Sequence, residues 1–346
     1  MNELRSLGTS GLLVSPLTLG TMTMANPQWG STDEESAAVL DAFIEAGGNH
    51  IDTADVYSGG GSEELIGAML EQRGLRDAVV LATKYGFAGV GGPVTGGSGR
   101  AMMTRAVEGS LRRLRTEVID LYWMHVWDTI TPAEEVLGGM ADLVRAGKIR
   151  YYGLSNVPAW FATQVTTLAR AHALPAPVAL QLEYSLVSRD IEREHIPAAT
   201  ELGLGIVPWS PLAGGFLTGK YTNGAQQEQG RLTGDNPFGN SKFTDHNWDV
   251  LNVLRDVAKE LDRTPADIAT AWVLNKRGVD TVLVGARTPR HLEAGLAAVD
   301  HALPDDARQR LDEVTALTLG NPYGIFTPEM TANIVGGGRP TRRLRP

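Results

Sequence analysis

The sequence predicts an α/β fold, a closed (β/α)8 barrel, and three observations point to it. Short β-branched apolar runs alternate with longer stretches of helical period, the pattern of βαβ units and a parallel sheet. Eight such runs occur, and most are apolar on both faces, as a parallel strand covered by helices must be. The length, 346 residues, holds one barrel of ~250 residues with insertions as well as it holds two domains. A doubly wound sheet is the rival architecture. No linker rich in Pro, Ser or charge divides the chain and no short repeat appears. Residues 1–346 therefore read as one domain, with the barrel over about 17–315.

Taken in order, residues 1–16 carry turns at Gly8 and Gly11 and read as a hairpin plugging one end of the barrel. Leu17–Thr21 is the first strand. Thr32-Asp33-Glu34-Glu35 is a capping box, followed by Val39, Leu40, Phe43 and Ile44 on one helix face and closed by Gly47-Gly48. His50–Ala54, Val79–Lys84 and Ile119–His125 are the next three strands. Thr131-Pro132-Ala133-Glu134 repeats the capping device, with Pro at the first helical position and Gly147 at the end. Strands Ile149–Ser155, Val178–Gln181 and Gly205–Trp209 follow. The polar, Gly-rich stretch Tyr221–Asn247 reads as a long loop after the seventh strand. Thr264-Pro265 and Thr288-Pro289 open helices on either side of the last strand, Thr281–Gly285. Three glycines and then Arg339, Arg342, Arg343 and Arg345 make residues 336–346 a mobile tail.

Composition narrows the function. There are 31 basic and 40 acidic residues, and this net charge of −9 argues against a nucleic-acid or anionic-membrane partner. No apolar run reaches the ~18–20 residues a spanning helix needs. The first residues lack the pattern of a signal peptide. Without cysteine there is no disulfide, thiolate nucleophile or Cys-ligated metal, a usage that suits the cytoplasm.

In barrels the chemistry gathers at the C-terminal ends of the strands. Those ends read Asp52, Lys84, His125, Ser155-Asn156, Gln181, Trp209-Ser210 and Gly285. Each alone has a bland reading: Asp52 caps a turn, Lys84 is solvated, His125 is a core histidine, and Ser155 or Asn156 caps a helix. Together they favour a site. Tyr57 lies in the loop after Asp52, so Asp, Tyr, Lys and His would share one pocket, with no metal required. Tyrosine is a poor acid at its reference pKa of ~10, but a neighbouring ammonium favours the phenolate and a carboxylate holds that ammonium in place. Tyr57 then protonates a carbonyl oxygen that His125 positions, while hydride arrives at carbon from a cofactor, since no side chain supplies one.

The constellation resembles the aldo-keto reductase family. Ile51-Asp52-Thr53-Ala54-Asp55-Val56-Tyr57 with Gly61-Ser62-Glu63-Glu64-Leu65-Ile66-Gly67 is similar to the first family signature. Leu81-Ala82-Thr83-Lys84 carries the matching lysine, and Leu121-Tyr122-Trp123-Met124-His125 the matching histidine. The similarity runs from about Leu7 to about residue 315, with the aryl-alcohol-dehydrogenase-like and potassium-channel-β-subunit-like branches nearest in look. The resemblance implies reversible reduction of an aldehyde or ketone by NADPH, NADH being the lesser candidate. It implies Tyr57 as general acid/base, Lys84 and Asp52 as its tuning pair and His125 as carbonyl orienter. It further implies that Ser155, Asn156 and Gln181 hold the nicotinamide carboxamide, near the Gly20-Thr21-Met22 turn. In Trp209-Ser210-Pro211-Leu212-Ala213-Gly214 it implies an aromatic stack and a pyrophosphate loop.

Phosphates call for cations or backbone N–H groups, and the candidates are Lys220, Arg231 and Arg287. Gly285, Arg287 and Leu292 match the family's last motif, whereas His291 stands for its Gln and Gly295 for its Asn. Two decoys fail. Gly214–Lys220 matches G-x-x-x-x-G-K, but Tyr221 stands where magnesium needs Ser or Thr. No G-x-G-x-x-G lies between a strand and a helix. Trp29, Phe87 and Trp127 follow strand ends and would wall an apolar substrate mouth, with Tyr323 and Phe326 closing over it.

A second reading, from another class, is a nucleotide-binding redox-sensing regulatory subunit with slow turnover. A third, a metal-dependent hydrolase, is disfavoured because only His125 closes a strand and no H-x-H or H-E-x-x-H occurs. The expected partner is a small carbonyl compound, and assembly into a homo-oligomer is compatible with the sequence.

Overall fold

The structure, a computed structural model, describes residues 1, 3–26, 30–89, 96–224, 232 and 242–340. Two short strands, β1 (Arg5–Ser6) and β2 (Leu13–Val14), pair antiparallel as the expected hairpin, Arg5 opposite Val14. Eight strands follow: β3 (Leu17–Gly20), β4 (His50–Asp52), β5 (Val80–Tyr85), β6 (Ile119–Met124), β7 (Ile149–Ser155), β8 (Ala179–Glu183), β9 (Gly205–Trp209) and β10 (Val282–Gly285). They form one parallel sheet in the order β10-β3-β4-β5-β6-β7-β8-β9. A bridge from Ile206 of β9 to Val279, in the segment leading into β10, joins its two edges, so the barrel is nearly closed. Helices lie between the strands, as a parallel sheet needs to cover its outer face.

The hairpin closes the bottom. Leu7, Leu12 and Val14 are buried with Val80, Ala82, Leu121, Trp123, Ala179 and Val207 in one apolar cluster. The larger core lies between strands and helices, the usual two-layer solution. Ala82 pairs with Asp52, and Lys84 with Trp123; this register lifts the polar residues to the C-terminal rim.

Local sequence rules explain most element boundaries. Thr32 forms a capping box with Glu35 on helix Asp33–Glu45. Thr264 caps helix Pro265–Leu274, whose proline stands at the first turn where its missing N–H costs nothing. Thr288 caps helix Pro289–Val299 in position, without a side-chain bond.

Three expectations need correction. Thr131 does not cap helix Ala133–Arg145; its N-cap is Pro132. The Thr131 hydroxyl donates to Asp128 Oδ2 at 2.6 Å and its amide to Oδ1 at 2.8 Å, so the nearby carboxylate has captured it. The loop from Tyr221 ends at Thr244, which caps helix Asp245–Glu260 by accepting from the Asn247 amide. Within that loop Tyr221 and Leu232 are buried, and Phe243 stacks on Trp248. Finally, Thr327 caps a helix the sequence reading overlooked, Pro328–Val335. Gly336 and Gly338 both donate to the Ala332 carbonyl, a C-terminal cap immediately before the tail. Arg342, Arg343 and Arg345 lie outside the described residues.

Candidate active site

Asp52 ends β4 and Lys84 lies one residue from the end of β5, each about 1 % exposed. Their side chains form a buried ion pair. The Lys84 ammonium also donates to the Thr53 carbonyl at 2.7 Å and to the Tyr57 hydroxyl at 3.4 Å. The other Asp52 oxygen accepts from Gln181 Nε2 at 3.0 Å. Burial raises the Asp52 pKa against the attraction of Lys84. Burial also opposes the Lys84 charge, but Asp52 and Tyr57 outweigh it and hold that pKa above the ordinary lysine value.

Tyr57 starts a tight turn, Tyr57–Gly60, in which Ser58 and Gly59 have positive φ. The Tyr57 amide donates to the Ala54 carbonyl at 3.1 Å, bending the chain back over the strand end. Its ring meets His125 edge-on, centroids 5.9 Å apart, and lies 5.0 Å from the Lys84 nitrogen. His125 is buried, and its Nδ1 has no hydrogen-bond partner among the described residues. Burial, then the Lys84 charge, pushes its pKa well below the ordinary histidine value, so the imidazole is neutral. Phe87 stands edge-on to the other side of His125 at 4.7 Å and is 45 % exposed.

A second group lines the rim beside these four. The Asn156 amide donates to the His125 carbonyl at 2.9 Å and to Ser155 Oγ at 3.0 Å, and its oxygen accepts from Trp209 Nε1 at 3.1 Å. Asn156 has φ +50°, a left-handed conformation that Asn tolerates better than most residues. Ser210 Oγ accepts from the Gly214 amide at 2.9 Å in the turn after β9, past Pro211 and Leu212. Gly214 needs its lack of a side chain there: φ is +68°, and a Cβ would approach Leu232 to 2.9 Å. Thr21 is buried, bonded to the Asp52 carbonyl at 3.2 Å and to Ser62 at 2.9 Å. Gly20 packs so closely on Leu283 that a Cβ would come within 2.4 Å. Met22 lies in the turn that follows.

Burial, then the charges of Arg287, Lys220 and Arg290, keeps the His291 imidazole below its ordinary pKa. His291 Nδ1 lies 3.2 Å from Thr288 Oγ1, in the first turn of helix Pro289–Val299. Gly285, exposed at the end of β10, opens this segment. Arg290 was missed by the sequence reading, although a second arginine in the first turn of a capped helix was there to see. Trp29 and Arg231 lie outside the described residues. The Trp127 ring packs on Trp160 at 5.4 Å and Phe161 at 6.1 Å. The Tyr323 hydroxyl bonds Glu194. Phe326 remains 68 % exposed.

Among the described residues no helix is long and apolar enough to cross a membrane, and no cluster of His, Asp or Glu is arranged to hold a metal ion. Comparison with known proteins agrees with the geometry of the rim. The profile described as "Aldo/keto reductase family" matches residues 16–316. An aryl-alcohol dehydrogenase [NADP(+)] of Phanerodontia chrysosporium is 34% identical, over 94% of this chain and 89% of that protein. A norsolorinic acid reductase of Emericella nidulans is 35% identical, over 92% of this chain and 82% of that protein. A probable voltage-gated potassium channel subunit beta of Oryza sativa is 33% identical, over 92% of this chain and 98% of that protein.

Proposed function

Because this chain belongs to the aldo/keto reductase family, we propose that it reversibly reduces an aldehyde or ketone to an alcohol with NADPH. The observation that supports this most is the Lys84 ammonium, which touches both the Asp52 carboxylate and the Tyr57 hydroxyl beside a neutral His125. Tyr57 is the acid: its hydroxyl gives a proton to the carbonyl oxygen, and the adjacent ammonium stabilises the phenolate left behind. Asp52 and Gln181 hold that ammonium in place. A neutral His125 donates one N–H to the same carbonyl oxygen, so it orients without competing for the proton. In the reverse direction the phenolate takes the proton back from the alcohol.

The residues present fit a phosphorylated dinucleotide. Arg287 and Arg290 stand at the start of helix Pro289–Val299, whose amides add to their positive field, and the charge of Lys220 acts on the same His291, as a phosphate group needs. Trp209, Ser210 and the Gly214 turn offer an aromatic face and a close-approach loop, and Ser155, Asn156 and Gln181 offer amides and a hydroxyl. When bound, the nicotinamide supplies the hydride. Phe87, exposed beside His125, favours an aromatic or otherwise apolar carbonyl compound, in keeping with the name of the aryl-alcohol relative.

The test is direct. Purified protein mixed with NADPH and an aromatic aldehyde should consume absorbance at the nicotinamide band. Tyr57→Phe should abolish turnover and leave cofactor binding near normal; turnover retained in that variant would refute the assignment. The likeness to a potassium-channel β-subunit supports a second reading, tight nucleotide binding with slow turnover in the service of a protein partner. Fast multiple turnover by the isolated chain rejects it.

A further inference from the structure

Behind Asp52, Lys84 and Tyr57 lies a second set of buried charges that the proposed reaction leaves unused. Glu63, on helix Gly61–Arg73, is fully buried. One of its oxygens accepts from Thr83 Oγ1 at 2.6 Å and the other from Arg113 Nε at 2.6 Å. Thr83 is the neighbour of Lys84 on β5. Asp55 stands on the turn that carries Tyr57, and its amide donates to the Lys84 carbonyl at 3.1 Å. The Asp55 backbone is thus tied to both members of the proton-transferring pair. Its Oδ1 is closed off from solvent and has no hydrogen-bond partner among the described residues. Arg113 is engaged by Glu63.

The titratable and charged groups facing Asp55 come from four elements. They are Glu63 on helix Gly61–Arg73, Arg113 on helix Arg100–Arg113, Lys84 on β5 and the Tyr122 phenol on β6. We infer that Asp55 is a positioning residue whose proton sets the electrostatic field on the Lys84–Tyr57 pair. While Asp55 is protonated, Lys84 acts on Tyr57 unopposed and the phenol is a stronger acid. Once Asp55 ionises, its added negative charge weakens the phenol as an acid and defers loss of the Tyr57 proton to higher pH. Burial and repulsion from Glu63 raise the Asp55 carboxyl to about 7, against Arg113 and Lys84, so the change falls within the working range of the protein.

This inference rests on Tyr57 being the acid, and the experiment separates the two. The single-turnover rate of aldehyde reduction is followed against pH with NADPH saturating. The unmodified protein should slow by roughly two- to threefold as pH rises through about 7, before the alkaline limb where Tyr57 itself deprotonates. Asp55→Asn should lose the step near 7 and bring its alkaline limb down by roughly 0.5–1 pH unit. Glu63→Gln removes the repelling charge and should move the step to lower pH. An unmodified protein with no step near 7, or variants whose profiles superimpose on the parent's, overturns the role of Asp55. Should Asp55→Asn fail to fold, the parent profile and Glu63→Gln decide the matter. If Tyr57→Phe is inactive while these profiles stay unchanged, the acid assignment stands and only Asp55 falls.

Discussion

Lys84→Met removes the centre of the arrangement while keeping the length of the side chain. Its effect on rate follows from one distance. A unit charge 3.4 Å from the Tyr57 oxygen, at an effective dielectric constant of ~20, favours the phenolate by at most about 5 kcal/mol, or some 3.5 pKa units. Losing that assistance to general acid catalysis should reduce single-turnover reduction by about 10²–10⁴-fold. The effect on stability follows from burial. Both partners are about 1 % exposed, and removing one leaves the Asp52 carboxyl buried with neutral partners such as Gln181 and no countercharge. Such orphaning costs about 3–5 kcal/mol. At ~2.1 cal/mol/K of unfolding entropy per residue, a chain of this length should lose about 4–7 °C in Tm. The pH dependence has a definite sign. Without the ammonium, only the neutral side chains of Gln181 and Trp123 oppose the burial that raises Asp52, so the folded variant holds a proton that the unfolded chain releases above ~3.9. Its stability therefore falls as pH rises from about 4, until the folded carboxyl itself ionises. Calorimetry across pH and stopped-flow absorbance at the nicotinamide band measure both effects. Lys84→Met/Asp52→Asn should recover most of the lost stability and none of the lost rate. A single variant that melts with the parent, or a double variant no more stable than the single, would refute the account of the pair.

The other predictions probe the rim. Arg287→Ala/Arg290→Ala removes two cations from the helix start beside His291, and KM for NADPH should rise tenfold or more, about 1.5–3 kcal/mol, with KM for NADH little changed. Equal losses for both nucleotides would place the phosphate elsewhere. Asn156→Ala deletes bonds to His125 and Trp209 and loses the short polar side chain that makes φ +50° tolerable, so it should cost roughly 2–3 kcal/mol in urea unfolding. Asn156→Gly relieves the backbone and should recover only part of that. Phe87→Ala strips the apolar wall beside His125; KM for aromatic aldehydes should rise by roughly fivefold while short aliphatic aldehydes are unaffected. Thr32→Ala breaks a capping box and should cost about 1 kcal/mol with no change in activity.

How far the sequence announces this structure depends on the range of the interactions concerned. A strand core such as Gly205–Trp209 is visible because burial on both faces forces a continuous apolar run, and a run of that kind has ends. Caps are visible where the threonine turns to its helix: the Thr32 and Thr264 side chains accept from the Glu35 and Asp267 amides, whereas Thr131 faces a carboxylate three residues back, at Asp128, and the hydroxyl turns to it instead. The helix Pro328–Val335 has the same Thr-Pro opening as Thr264-Pro265 and is readable by the same rule.

The candidate site is legible for a different reason. A polar residue at the end of an apolar strand has few structural uses, and the bland readings of Asp52, Lys84 and His125 are independent, so they fail together when the strands are assembled. What no spacing shows is which of these groups bond to one another. Gln181 was expected among the cofactor contacts, yet its amide nitrogen reaches Asp52 across the barrel from β8. Asn156 ties Trp209 to the His125 backbone through a left-handed residue whose conformation leaves no mark on composition. The charge state of Asp55 is least visible, because it depends on Glu63 having already taken Arg113, a competition among three elements that pack together only in the folded chain. Residue type at a strand end identifies the participants; burial and the order in which partners are satisfied decide what each one does.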